Sequence, residues 1–138
     1  MILLDTSVLS HVFRRRAPEP VSDVVSRFSS LVAKGYPLAI PGVVLQEILS
    51  GVRDPRQFDR LRVALDGFPL IIAGEEDHLE AARLVNSLRR RGVTASSFDA
   101  LIAAMTILRD GLLFTLDQDF FAYSRLTALR LLEKGSEE

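Results

Sequence analysis

The sequence predicts an α/β protein, a single-domain α/β/α sandwich with a mainly parallel central sheet. Short apolar runs alternate along the chain with longer segments that repeat apolar residues at helical spacing, which is typical of this class. The runs are unbroken, as expected for strands buried on both faces. The chain has 138 residues, 48% of them hydrophobic, which is enough for one domain with its own core. We expect this domain to cover residues 1–135 and to end in a frayed tail at 136–138.

The first half of the chain predicts two strands and three helices. Residues 1–4 form the first apolar run, and the polar DTS after it predicts a turn into a helix over 7–13. A polar loop, RRRAPEP, separates this helix from an amphipathic one over 21–35, which ends at a glycine. The apolar stripe of the second helix comprises Val21, Val24, Val25, Phe28, Leu31 and Val32. A strand at 36–41 and a short helix at 42–52 follow.

The second half continues the alternation. Residues 55–67 repeat the helical period, 68–73 form a third apolar strand, and 75–92 form a long helix with acids first and arginines last. A further helix over 97–111 runs into LLFTLDQDF, a strand followed by an acidic turn. The segment ALRLLEKG, residues 128–135, predicts a last strand.

Composition excludes several classes of site. The chain has no cysteine, which removes disulfides, thiolate zinc sites and thiol nucleophiles. A net charge of −1 argues against a protein that coats nucleic acid by bulk attraction. No charged leader precedes a long apolar segment, and no apolar run is long enough to span a bilayer. We therefore expect a cytoplasmic protein that does not contact membranes.

The basic residues are nearly all arginines, and they occur in groups. Arg14, Arg15 and Arg16 follow the first predicted helix, and another group at 89–91 ends the long helix. Because arginine forks suit phosphate oxygens, we expect the first group to help hold substrate phosphates. For residues 89–91 we favour the alternative that the cations complement the helix dipole at a C-terminus.

Asp5 stands directly after the first apolar strand. In open α/β sheets ligands bind at the carboxyl ends of the strands, so this position is a candidate site. The alternative is structural, because the side chain of Asp5 or Thr6 can accept hydrogen bonds from the first amides of the following helix. On this position alone, helix capping is the favoured interpretation, and only other acids placed to meet Asp5 would reverse it.

Two acids interrupt helix faces that are otherwise apolar. Glu47 lies three and four residues from Val44 and Val43, on what the spacing predicts to be a buried face, where a lone carboxylate is costly to desolvate. Asp99 begins the apolar face that continues at Ile102. An acid in a first helical turn can also be explained by the helix dipole, so for Asp99 both interpretations stay open.

Asp117 and Asp119 follow the strand at 112–115, and an Asx-turn would explain one of them. In a parallel sheet this strand and the first one end at the same edge, so these acids should meet Asp5, Glu47 and Asp99. Carboxylates gathered in one pocket repel one another unless a cation holds them.

The chemistry of these groups predicts a hard divalent cation. The donors are all oxygens, and His11 and His78 lie outside the acidic motifs, which favours Mg²⁺ or Mn²⁺ over zinc. Such an ion beside carboxylates suits phosphoryl transfer, because it activates water and stabilises charge on a phosphodiester. In this setting Asp5 is better interpreted as a metal ligand than as a cap, and Thr6 remains a candidate for the cap.

Four segments resemble the acidic motifs of one family: LLDTSVL, VVLQEILSG, FDALIAAMTI and FTLDQDF. In this order and at this chain length they look like PIN-domain ribonucleases, and more narrowly like the VapC-type toxins of toxin–antitoxin pairs. The resemblance implies that Asp5, Glu47, Asp99 and Asp117 are the catalytic acids, with Asp5, Asp99 and Asp117 as metal ligands. Thr6 would be a polar helper and Asp119 a further acid.

The resemblance also implies Mg²⁺ or Mn²⁺ as cofactor, RNA as substrate, a homodimer, and a small antitoxin that inhibits the enzyme. Two other classes stay open. Aspartate-based phosphohydrolases and phosphoreceivers also place an acid after the first strand, but the phosphatases need a second Asp where this chain has Ser7. A PIN-like module that binds RNA or a partner without cleaving it would be expected to lack acids, and none is missing.

Overall fold

The computed structural model describes residues 1–14 and 23–133, which contain one four-stranded sheet. Its strands are β1 (Ile2–Leu4), β2 (Leu38–Pro41), β3 (Leu70–Ile71) and β4 (Leu112–Phe114). All paired neighbours are parallel, and the order is β3-β2-β1-β4. The predicted α/β/α class with a mainly parallel sheet is confirmed.

Helices connect and cover these strands. They are α1 (Thr6–Phe13), α2 (Asp23–Ala33), α3 (Gly42–Leu49), α4 (Pro55–Leu65), α5 (Glu75–Arg90), α6 (Ser97–Leu108) and α7 (Gln118–Leu126). Helix α1 packs against α2 and α3, whereas α5 packs along α6, which contacts β4. None of the helices in the described ranges is long and apolar enough to cross a membrane.

The central strands are buried on both faces, which is why their sequences are unbroken apolar runs. Leu3, Leu4, Leu113 and Phe114 have no exposed surface. Helix α6 is nearly as deeply buried, from Ala100 to Thr106, as expected for a helix that is apolar all round. These elements therefore form a rigid base beneath the strand ends.

The structure corrects several element predictions. Residues 129–133 form no strand and only a single parallel bridge, between Leu113 and Leu131. The NH of Leu113 donates to the carbonyl of Arg130 (3.0 Å), and the NH of Leu132 donates to that of Leu113 (2.8 Å). The segment touches the edge of β4 at one point instead of running along it. Helix α7 was not predicted at all, because its start is also a plausible acidic turn.

Other parts of the predictions were wrong or lie outside the described residues. The predicted stripe of α2 includes Val32, but this side chain is 48% exposed, while Phe28 and Leu31 fill the core. The third strand has only two residues. Val21 and the tail at 136–138 are outside the described ranges, and the proposed domain boundary stays a prediction.

Gly111 lies between α6 and β4, three residues beyond the end of the helix that was predicted over 97–111. The left-handed residue after α6 is Asp110, with φ of 51°. A Cβ atom on Gly111 would lie 2.9 Å from the carbonyl oxygen of Met1. Glycine is therefore needed here for the close approach of the backbone to the start of β1.

A partly buried ion pair joins the start of α5 to the end of α6. Arg109 donates to both carboxylate oxygens of Asp77, at 2.7 and 3.0 Å, and to the carbonyl of Met105 at 2.9 Å. The NH of Gly74 donates to Asp77 at 2.9 Å. The Arg109 guanidinium, with this backbone hydrogen bond, holds the pKa of Asp77 below its usual range.

We expect Asp77→Asn to lower the free energy of unfolding by about 2 kcal/mol at neutral pH, because it leaves Arg109 without its charged partner. The effect should be below that of a fully buried pair, since the Arg109 side chain is 25% exposed. A carboxyl with a depressed folded pKa stabilises above its unfolded pKa, so the difference should shrink below about pH 4. Denaturant melts of the parent, this variant and the exposed control Asp59→Asn measure it, and equal stability at pH 7 would contradict it.

Candidate metal centre

Acidic side chains gather where β1 and β4 end. Asp117 is the N-cap of α7, and its Oδ1 accepts a hydrogen bond from the NH of Asp119 at 2.9 Å. The N-cap of α6 is Ser96, whose hydroxyl accepts from the NH of Asp99 at 3.0 Å, so Asp99 lies in the first turn. Carboxylate oxygens of Asp99, Asp117 and Asp119 lie within 4.8 Å of one another. The structure thus brings Asp119 into the cluster, and the Asx-turn and cluster interpretations of Asp117 both hold.

Asp5 lies at the same edge, after β1, and is only 5% exposed. The NH of Asp5 donates to the carbonyl of Phe114 at 3.0 Å, which ties it to the end of β4. Asp5 stands at the N-cap position of α1, but its side chain caps no backbone amide. The hydroxyl of Thr6 also does not cap the helix and instead donates to Glu47 Oε2 at 3.1 Å. The capping interpretations of both residues are therefore wrong.

The prediction that Glu47 lies on a buried face is wrong, because its side chain is exposed. Val44 and Ile48 fill the buried face of the eight-residue helix α3, and Glu47 points away from them toward Thr6. Its exposure removes the desolvation argument that singled it out. Glu47 still lies beside the cluster, since it lines a cleft together with Asp99.

The pKa of Asp99 depends on its burial and on the charges of the neighbouring acids. Burial raises the pKa of Asp99 to about 6, together with the charges of Asp117, Asp5 and Asp119, while a hydrogen bond with Ser96 opposes the shift. Asp5 therefore belongs electrostatically to the same group, although it lies outside the tightest cluster. Asp99 also lies in the first turn of α6, where the helix dipole favours a carboxylate, so both interpretations of this residue stay open.

Tyr123, on α7, is a neighbour of the cluster that the sequence did not reveal. Burial raises the pKa of Tyr123 to about 12, with further contributions from the charges of Asp99, Asp119 and Asp117. Its ring packs edge-on against Phe120, with centroids 5.7 Å apart. The helical spacing of these two aromatic residues after Asp117 was the available signal. At neutral pH the phenol keeps its proton, so it adds no charge to the acids.

Two hydroxyl groups hold Asp5 in place. Ser7 and Thr115 both donate to Asp5 Oδ2, each at 2.7 Å. The Ser7 oxygen also accepts from the NH of Leu116 at 2.9 Å, and the Thr115 oxygen accepts from the NH of Asp117 at 3.0 Å. We call Ser7 and Thr115 the hydroxyl pair. They join the ends of β1 and β4, and so orient Asp5 and the loop that carries Asp117.

Removing one of these hydroxyls should weaken divalent metal binding. We expect Thr115→Val to lower Mn²⁺ affinity about 10- to 100-fold, as for other groups that orient ligands, and to destabilise the protein by about 1–2 kcal/mol. Thr115→Ser should restore both, because it keeps the hydroxyl. Calorimetric titration with Mn²⁺ measures the affinity. Unchanged affinity in Thr115→Val would give the hydroxyl pair a purely structural role.

Arg14, which is the one predicted phosphate-binding arginine within the described residues, is not part of this edge of the sheet. Arg14 follows the last residue of α1, about 12 Å along the helix from its start beside Asp5. It lines a separate groove with Phe13, Arg60 and Leu61. Arg15 and Arg16 lie outside the described residues. A role for these arginines with substrate stays a prediction.

The donors at this edge fit a hard divalent cation. Carboxylate oxygens are the ligands that Mg²⁺ and Mn²⁺ prefer, and the close cluster found among the described residues contains no histidine. The pKa of Asp99 is raised first by burial and then by repulsion from the neighbouring acids, and a cation would relieve this repulsion. Asp5, Asp99, Asp117 and Asp119 are the residues that could hold it.

A family model and a curated relative both match most of this chain. The family model, described as "PIN domain", matches residues 2–126, a span that contains all the acids discussed here. The curated relative, Ribonuclease VapC1 of Methanocaldococcus jannaschii, is 23% identical over 133 residues, which cover 96% of this chain and 88% of the relative.

Solved structures with a similar fold come from bacterial toxin–antitoxin systems. VapBC2 of Rickettsia felis, bound to a DNA fragment from its promoter, contains a chain with a TM-score of 0.78 and 23% identity, covering 96% of this chain and 98% of that one. VapC20 of Mycobacterium tuberculosis, described as a sarcin–ricin loop cleaving toxin, has a TM-score of 0.65 and 18% identity, with coverages of 94% and 99%. At these identities the likeness shows a shared fold.

Proposed function

Because this chain belongs to the PIN-domain family, we propose that it is a metal-dependent endoribonuclease that hydrolyses RNA phosphodiesters. The observation that carries the proposal is the convergence of Asp99, Asp117 and Asp119 within 4.8 Å, beside the buried Asp5. Carboxylates this close are costly to keep together without a cation, so their convergence favours a metal site over a structural role. The relative named Ribonuclease VapC1 supports RNA as the substrate.

Asp5, Asp99 and Asp117 would hold Mg²⁺ or Mn²⁺, with Asp119 as a further ligand. When bound, the ion supplies charge stabilisation for a phosphodiester and a more acidic water. The hydroxyl pair keeps Asp5 Oδ2 in two hydrogen bonds and so fixes the orientation of this carboxylate. Glu47, exposed and hydrogen-bonded to Thr6, would accept a hydrogen bond from a water that approaches the scissile phosphate.

We further propose that the protein is the toxin of a type II toxin–antitoxin pair and is inhibited by a small cognate antitoxin. The support is the similarity to chains of toxin–antitoxin complexes, such as those of Rickettsia felis. As in the predictions from sequence, we expect a homodimer, a cytoplasmic location and no membrane contact. Coexpression with the product of an adjacent short reading frame, followed by copurification and inhibition of cleavage, tests the antitoxin.

Incubation of the purified protein with a structured RNA pool tests the enzymatic proposal. We expect cleavage with Mn²⁺ or Mg²⁺, none in excess EDTA, and recovery when the ion is restored. Mapping of the product ends identifies the sites that are cut. Cleavage that continues undiminished in EDTA would contradict metal dependence, and no cleavage of any RNA with metal would contradict the proposed activity.

A further inference from the structure

A cleft opens directly beside the acidic cluster, between α3 and the start of α6. It encloses about 420 Å³ and is lined by Gln46, Glu47, Ser50, Ser96, Phe98 and Asp99. One of these six residues, Asp99, belongs to the candidate metal centre, and Glu47 lies beside it. The cleft is therefore continuous with the place where the scissile phosphate would lie.

We propose that this cleft binds the nucleoside next to the scissile phosphate of single-stranded RNA, with Gln46 contacting the base edge and Phe98 its face. The inference rests on the proposed ribonuclease function and adds a specificity site to it. A ligand pocket for a small molecule typically encloses about 300–1,000 Å³, and one nucleoside falls within that range.

The charge of the cleft selects which part of RNA can enter it. Glu47 on α3 and Asp99 on α6 line the cleft from its two sides, so a phosphate would be repelled there unless a cation shields it. An uncharged base and its ribose meet no such repulsion. The phosphate is then left beside the cluster, and the base occupies the cleft.

The remaining side chains offer the groups that recognise a base. The amide of Gln46 carries both a donor and an acceptor, and it is exposed at the cleft. The hydroxyl of Ser96 is occupied by Asp99, since it accepts from the NH of that residue and also hydrogen-bonds with its carboxyl. Ser50, the C-cap of α3, donates its hydroxyl to the carbonyl of Gln46 at 2.6 Å, so the Gln46 amide is the polar group that remains for the base edge.

Phe98 supplies an aromatic surface on the other side. Its ring is partly buried against the hydrophobic core, which holds it in position, and partly exposed to the cleft. Bases of unpaired RNA stack on such rings, whereas bases within a duplex are already stacked and paired. The proposed ligand is therefore a nucleotide in a loop or single strand.

The experiment compares the parent with Gln46→Ala, Phe98→Leu and the control Asn86→Ala, which removes an exposed amide of α5 outside the cleft. The substrates are RNA oligonucleotides that vary at the two positions flanking the cut. We expect both cleft variants to raise KM about tenfold with little change in kcat, as for the loss of one base contact. Gln46→Ala should also change the ratio of products cut at different bases. Mn²⁺ affinity, measured by calorimetry, and melting temperature should stay as in the parent.

Each outcome decides the inference. Unchanged KM and product ratios in both cleft variants, with an active parent, overturn the nucleoside site but leave the ribonuclease proposal standing. The same losses in Asn86→Ala would also overturn it, because the effect would not be specific to the cleft. A parent that cleaves no RNA with Mn²⁺ overturns the proposed function and this inference with it.

Discussion

Asp99→Asn should lower the rate of Mn²⁺-dependent RNA cleavage roughly a thousandfold while the protein stays folded. A metal ion contributes several kcal/mol of transition-state stabilisation, and each 1.36 kcal/mol corresponds to a tenfold change in rate. Asp99 is central to the cluster, because the charges of three other acids act on it. Asp99→Asn replaces a negatively charged ligand of the ion with a neutral amide and does not change the size of the side chain.

The matched comparison uses other Asp→Asn changes. Asp5→Asn should have an effect of the same order, because Asp5 is buried at the same edge. Asp59→Asn, on the exposed surface of α4, should keep full activity. Circular dichroism and single-turnover cleavage establish fold and rate for each variant. A parent-like rate in Asp99→Asn with Mn²⁺ would remove Asp99 from the metal centre.

The same substitution should raise the stability of the metal-free protein. The folded pKa of Asp99 is raised to about 6, so its ionisation opposes folding above that pH. At pH 8 in EDTA we expect Asp99→Asn to have a free energy of unfolding about 1 kcal/mol higher than that of the parent, allowing for the partial exposure of the carboxyl. This difference corresponds to a melting temperature that is higher by roughly 3 °C. Activity and stability would then change in opposite directions.

The pH dependence separates this effect from an ordinary stabilising mutation. A raised carboxyl pKa means that the folded state holds the proton more tightly, so this destabilisation is absent below about pH 4 and complete above about pH 6. The metal-free parent should therefore lose stability as the pH rises from about 4 to about 6, whereas Asp99→Asn should not lose stability for this reason. Adding Mn²⁺ should raise the melting temperature of the parent more than that of the variant. A destabilised variant with a full metal response would return Asp99 to a structural role.

The central sheet and the acids at its edge could be predicted from the amino-acid sequence. All side chains of an unbroken apolar run, such as those of β1 and β4, are buried only where both faces of the sheet are covered. Such a run therefore predicts a central parallel strand. The carboxyl ends of such strands share one edge, and this rule is enough to bring Asp5 and Asp117 to the same place. The local sequence pattern is sufficient to predict this part of the fold, because a strand that is apolar on both faces must lie inside the sheet.

The environment of each acid, in contrast, depends on the tertiary structure. The period of α3 did not distinguish the buried Ile48 from the exposed Glu47, since adjacent residues on a short helix lie only about 100° apart. The proximity of Asp119 to Asp99 depends on α7 beginning directly after Asp117, which a turn would not produce. Likewise, Ser7 and Thr115 are 108 residues apart in the chain and meet at Asp5 only because β1 and β4 are neighbours. Contacts between distant segments depend on how strands and helices are paired, and no local pattern in the sequence records that pairing.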